Sequence, residues 1–178
     1  QHGGELFESA KAAGVDLYYE AAVAGAIPII RPLRESLVGD QVTAVRGIVN
    51  GTTNYILTKM HNEGKAYDIA LKEAQDLGFA ESDPTLDVDG WDAKYKLCII
   101  TGHAYGLFLN PDEVFHYGIR KISTFDIQHA KEKGFKIKLV PFVGKTNDNT
   151  ISGFVLPRFI SSDKYLFNVD NEYNGVIT

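Results

Sequence analysis

Acidic side chains crowd one stretch of this chain: Glu81, Asp83, Asp87 and Asp89 fall within nine residues of ESDPTLDVDG, and Asp92 follows closely. Lys94 and Lys96 come directly behind, at the start of an apolar run through Leu97, Cys98, Ile99 and Ile100 that marks a buried helix. Asp92 and Lys96 are four residues apart and share one face of that helix. A buried lysine with a carboxylate one turn away is suited to proton transfer: burial lowers its pKa towards neutrality, and the carboxylate holds it in place. The surrounding acids suit a ligand that carries an ammonium group. A plainer account stays open at this point. Acids collect at helix N-termini because the macrodipole favours them, and an exposed Asp92–Lys96 pair would contribute only about 0.3–0.5 kcal/mol.

Two further stretches have chemical potential. In Gly47-Ile48-Val49-Asn50-Gly51-Thr52-Thr53-Asn54 a strand ends in a glycine turn and a helix begins, so backbone N–H groups point at an anion such as a carboxylate. An ordinary capped strand-to-helix turn would look the same. Glu20-Ala21-Ala22-Val23-Ala24-Gly25-Ala26-Ile27-Pro28 is a small-residue bend that lets backbone approach a ligand or turns carbonyl oxygens towards a cation. The five histidines, at 2, 61, 103, 116 and 129, show no metal-ligand spacing, and neither GxGxxG, GxxxxGK[ST] nor GxSxG occurs. Cys98, on the apolar helix, is expected to pack in the core.

The elements that must position these residues belong to a chain of 178 residues, enough for one domain with a real core. Hydrophobic residues make up 44%, which excludes general disorder, and a net charge of −5 argues against a dedicated nucleic-acid binder. No apolar run approaches the roughly 20 residues of a membrane span. The single cysteine excludes an internal disulfide. These features point to a cytoplasmic domain without nucleic-acid or membrane partners.

Local signals predict a helix over 4–13 ending at Gly14, and a short strand from Val15 to Tyr19. A helix from Pro28 to about Val38 and a strand from Val42 to Val49 come next. Thr52 or Thr53 is a candidate cap for a helix to His61, and further helices are predicted at Tyr67–Leu77 and Trp91–Tyr105. Asn110-Pro111 starts a helical turn, and Phe125–Lys133 is helical. FKIKLVPFVGK and TISGFVLPRFI alternate as two strands, joined by a hairpin signal at 147–149. The fold class is therefore α/β with α+β character: a single domain with a mixed β-sheet covered by helices. The chain begins within a helix and ends on a strand start, as expected of a piece of something longer.

The run from Ala74 to Lys96, AQDLGFAESDPTLDVDGWDAKYK, resembles the signature of homoserine dehydrogenases. Tyr19 to Pro28 and Gly47 to Tyr55 match the same family in the same order, so the resemblance covers essentially the whole chain. It implies interconversion of L-homoserine and L-aspartate 4-semialdehyde with NAD(P)H, on the route to threonine, methionine and isoleucine. By motif position, Lys96 would be the acid/base group and Asp92 its orienting partner. Glu81 and Asp87 would hold the substrate, with Gly51 and Thr52 nearby. Phe79 stands where relatives have Tyr, and so lacks that hydroxyl. A monovalent cation such as sodium would be held by Glu20 and the carbonyls of Val23, Gly25 and Ile27. The resemblance further implies that residues 1–178 form the substrate-binding, catalytic and dimerisation domain of a homodimer, with the strands near 135–160 at the interface. The nucleotide-binding half, with its glycine-rich turn, and a second functional lysine would lie outside the chain. A rival class remains open here: a non-catalytic amino-acid-binding or oligomerisation module.

Overall fold

The computed structural model describes residues 2–146 and 150–178; the hairpin expected at 147–149 lies outside the described residues. A five-stranded sheet is formed by β1 (Ala44–Ile48), β2 (Phe115–His116), β3 (Phe135–Lys145), β4 (Ile151–Ser161) and β5 (Gly175–Ile177), in the order β2-β4-β3-β1-β5. β3 and β4 pair antiparallel along eleven residues, from Phe135 opposite Ser161 to Lys145 opposite Ile151. β1 lies antiparallel to both β3 and β5, and β2 runs parallel to β4, so the sheet is mixed as expected.

Successive strand residues point to opposite faces. Ile137, Leu139 and Val143 of β3, with Val45 and Val155, join the main core, which the helices cover with Ile56, Leu57, Met60, Leu97, Ile100 and Ile127. These helices are α3 (Gly51–Glu63), α6 (Trp91–Tyr105) and α7 (Thr124–Glu132). The opposite face carries Ile48 and Val140, which pack with Leu166 and Val169 beside Ile160 and Ile177 in a smaller cluster. Phe142 and Phe154 stack on that face with ring centroids 5.2 Å apart.

α1 (Gly3–Ala13) ends at Gly14 in the left-handed conformation, as its sequence implied. α4 (Tyr67–Asp76) and the 3-10 turn Pro111–Glu113, capped by Asn110, also match. Three expectations change. Val15–Tyr19 forms no strand, because no ladder partner lies beside it among the described residues. The helix expected from Pro28 shrinks to helical residues 30–36, of which Pro32–Ser36 is a π-turn closed by the Leu37 N–H donating to Pro32 O at 2.9 Å. Pro32 lacks the N–H that a regular turn would use. Finally, Asn50 caps α3, in place of Thr52 or Thr53.

The acidic stretch is held by backbone contact. After α5 (Thr85–Val88), Gly90 adopts φ 88° and starts α6. The Ile119 N–H donates to Val88 O at 2.7 Å, and a Cβ built on Gly118 would lie 2.0 Å from Val88 O and 2.4 Å from Asp89 Cα. Gly118→Ala therefore forces backbone apart beside Asp87. We expect it to cost about 1–3 kcal/mol and lower Tm by roughly 3–10 °C in thermal denaturation. Gly4→Ala, where a Cβ meets nothing within 4 Å, is the control. Equal Tm values for the two variants would refute the close approach.

Candidate active site

Asn50 is the residue on which the site is assembled. It is 5% exposed and sits between β1 and α3. Its Oδ1 accepts from Thr53 N at 2.9 Å and from Thr53 Oγ1 at 2.8 Å, which caps α3. Its Nδ2 donates to Asp87 Oδ1 at 2.7 Å and to Asp92 Oδ2 at 2.8 Å. Asp92 Oδ2 also meets Lys96 Nζ at 2.7 Å, and Lys96 Nζ donates to Val49 O at 2.9 Å. One continuous chain of charge-assisted hydrogen bonds thus runs Asp87–Asn50–Asp92–Lys96. Sequence reasoning passed over Asn50, although Asn directly before Gly-Thr-Thr is a strong helix-capping signal.

Lys96 is not the buried lysine of α6. Its side chain is 21% exposed, while Lys94, two residues earlier, is 2% exposed with Nζ 3.9 Å from the Trp91 ring centroid. Residues two apart on a helix point to different sides; Lys94 enters the core and Lys96 turns to the Val49 carbonyl. An ammonium carries three protons. Two of those on Lys96 are directed at Asp92 and Val49, which leaves one for a ligand oxygen.

The acids of the 81–92 stretch separate by task. Asp83 Oδ1 accepts from Thr85 N at 3.1 Å, and hydrogen bonding to Thr85 holds its carboxyl below the usual range. Asp89 pairs with Arg120 through contacts of 2.8 and 3.1 Å. Glu81 is exposed; its main-chain carbonyl accepts from Gln75 Nε2 at 3.0 Å, and among the described residues no hydrogen bond joins its carboxylate to the Asn50 cluster. Asp87 and Asp92 remain as the pair that meets on one amide.

Gly51 and Thr52 follow Asn50 into the first turn of α3. A Cβ on Gly51 would lie 2.7 Å from Glu172 O, so only glycine fits beneath that carbonyl. Thr52 Oγ1 donates to Phe79 O at 2.5 Å and ties the 79–81 segment to the helix start. The Phe79 ring is 37% exposed and packs 4.9 Å from that of Tyr55. Below Gly51, the segment around Glu172 is secured by buried polar contacts. Asn54 Nδ2 donates to Val169 O and Tyr173 O, and Lys138 Nζ donates to Asn54 Oδ1, Val169 O and Asp170 Oδ1.

The structure does not bring the 20–27 loop to this cluster. α2 (Ala21–Ala24) packs against α6, and Tyr19 OH meets His103 Nε2 at 2.6 Å, seven residues beyond Lys96. At 1.5 Å per residue that separation is about 10 Å along the helix. Glu20 caps the helical turn at Ile30, accepting from Ile30 N at 2.7 Å and Arg31 N at 2.9 Å. Cys98 packs half-buried against the core, and burial pushes its thiol pKa up.

Residues 28–178 match the homoserine dehydrogenase family. The chain belongs to the homoserine dehydrogenase family. It is 45% identical to the homoserine dehydrogenase of Corynebacterium glutamicum across 98% of its length, and 44% identical to that of Lactococcus lactis, again across 98%. It spans about 40% of the length of these curated relatives. The crystal structure of a homoserine dehydrogenase from Thiobacillus denitrificans superposes with a TM-score of 0.93 at 42% identity, over 98% of this chain and 40% of that one. A hyperthermophilic archaeal homoserine dehydrogenase in complex with NADPH gives 0.80 at 36% identity, over 99% of this chain and 50% of that one. Within the acidic stretch Asp87 and Asp92 converge on Asn50, a contact that the helix macrodipole by itself does not require.

Proposed function

We propose that this chain is the substrate-binding and catalytic domain of an enzyme that interconverts L-homoserine and L-aspartate 4-semialdehyde with NAD(P)H in amino-acid biosynthesis. The observation that carries this reading is the Asp87–Asn50–Asp92–Lys96 chain. When bound, the nicotinamide cofactor supplies the hydride for the aldehyde carbon. Lys96 delivers a proton from Nζ to the alkoxide oxygen that develops, and its positive charge stabilises that oxygen. Asp92 and Val49 O aim the ammonium. Asp87, together with Glu81 on the exposed segment beyond Phe79, receives the substrate ammonium; the first-turn amides at Gly51 and Thr52 attract its carboxylate. In the oxidative direction Lys96 accepts the hydroxyl proton.

Glu20 with the carbonyls of Val23, Gly25 and Ile27 offers an all-oxygen donor set that suits a hard monovalent cation such as sodium. Each Glu20 oxygen accepts one backbone N–H and retains a further lone pair, so the set fits a cation in kind. Such an ion would stiffen the 20–31 bend at the far end of α6. The sheet face with Phe142, Phe154, Ile160 and Ile177, in which Arg46 and Arg158 also stand, supports homodimerisation.

The test is the full reading frame that contains this segment. It should reduce L-aspartate 4-semialdehyde with NADPH or NADH, followed at the nicotinamide absorbance. The isolated 178 residues should fold and dimerise in sedimentation experiments yet turn over nothing measurable. An inactive full-length protein would refute the enzyme reading, and an active isolated chain would refute its assignment as a domain that needs a partner half.

A further inference from the structure

We infer that Asn50 is a positioning residue that couples recognition of the substrate ammonium to proton transfer, and thereby sets the spacing between amine and carbonyl that the site accepts. The inference rests on the proposed dehydrogenase reading. Asn50 uses every hydrogen-bonding valence of its amide: two acceptor sites on Thr53 and two donors on the carboxylates. The acceptor contacts to Thr53 N–H leave a single orientation for the amide, with the NH2 towards Asp87 and Asp92. At 5% exposure, it has little water to relax into.

Geometry gives this amide a task that neither acid could perform alone. Asp87 lies on the short α5, and Asp92 and Lys96 on α6, with the left-handed Gly90 between them. A rigid planar group bridging the two carboxylates at 2.7 and 2.8 Å fixes the distance between the acid that receives an ammonium and the acid that aims Lys96. Two carboxylates this close repel; the neutral amide donates to both and offsets part of that repulsion, while the Lys96 ammonium, 2.7 Å from Asp92, answers Asp92 and leaves Asp87 to the substrate amine. The amine of a bound substrate is thereby tied through Asp87, Asn50 and Asp92 to the position of Lys96 Nζ. Binding energy from the amine appears as turnover, not only as affinity.

The test uses the full-length enzyme with Asn50→Ser and Asn50→Thr, each assayed on L-aspartate 4-semialdehyde and on 4-oxobutanoate, the same aldehyde without the ammonium. Both replacements keep an oxygen able to cap Thr53 N–H, and neither offers the two N–H donors. Folding is checked by thermal denaturation. Coupling through Asn50 predicts Tm values within a few degrees of wild type and kcat on the aminated aldehyde lowered about 100-fold. The ratio of kcat between the two aldehydes should collapse by at least about tenfold. Two results would overturn the inference: an unchanged ratio, which would confine Asn50 to orienting Asp92 and Lys96, or a lowered Tm with kcat and ratio intact, which would make it a helix cap only. A wild-type enzyme inactive on both aldehydes would sink the dehydrogenase reading and the inference together. An active wild type whose ratio survives in the variants sinks the inference alone.

Discussion

Lys96→Ala in the full-length enzyme is expected to lower kcat by about 1,000-fold, within the span that a positioned acid or base supplies. KM should move far less, because in the proposed mechanism Lys96 acts on the substrate oxygen whose charge develops in the transition state, not on the amine. The fold should survive. The Lys96 side chain is 21% exposed, so its loss opens no enclosed cavity, and Asp92 keeps the Asn50 donor at 2.8 Å. Lys96→Arg should recover little, since a guanidinium stays protonated and places its charge farther out. Steady-state kinetics with a thermal scan decide the matter. Unchanged turnover in a folded Lys96→Ala enzyme would move the chemistry elsewhere and favour a domain that only holds an amino acid.

The largest expected effect on stability comes from Asp170→Ala. Lys138 is 1% exposed on β3, and burial pulls its pKa down while Asp170 partly restores it. Asp170 also meets Lys136 at 2.6 Å. Burial acts to raise the Asp170 pKa, but hydrogen bonds from Lys136 and Lys138 outweigh it and hold the carboxyl below the usual range. Removing the carboxylate leaves the Lys138 ammonium without its counter-charge. We expect a loss of about 3 kcal/mol, at the lower end for broken buried pairs, because Lys138 retains Asn54 Oδ1 and Val169 O. For a chain of this size that is roughly 6–12 °C in Tm. Since the folded carboxyl is depressed, its stabilisation is present above the unfolded carboxylate pKa and fades as pH falls through the folded one. The Tm difference between wild type and variant should therefore shrink in acid. A gap that stays constant to the acid limit, or no gap at neutral pH, would contradict this account. Lys138→Met, which removes the buried charge itself, should cost less than Asp170→Ala.

Much of this architecture was legible residue by residue. α6 runs from Trp91 to Tyr105 as its apolar pattern implied, and the alternating runs at 135–145 and 151–161 became β3 and β4. Asp92 and Lys96 share a helix face because four residues make one turn, and they pair at 2.7 Å. The errors have a common source. Val15–Tyr19 has strand composition, but a strand exists only where a neighbour supplies ladder partners. Lys96 was expected to be buried because its neighbours are apolar, yet the neighbour that faces the core is Lys94.

The sequence by itself determined the family, the α/β class, the Asp92–Lys96 pair and the residue types available for an aminated substrate, since periodicity and motif spacing are local quantities. Which acid does what was decided by tertiary structure. Asp83 caps a turn, Asp89 answers Arg120, and only Asp87 and Asp92 reach Asn50, a residue 37 and 42 positions away in the chain. Carboxylates are chemically alike in sequence; their tasks differ once folding fixes the donor each one meets, and that donor lies on another element.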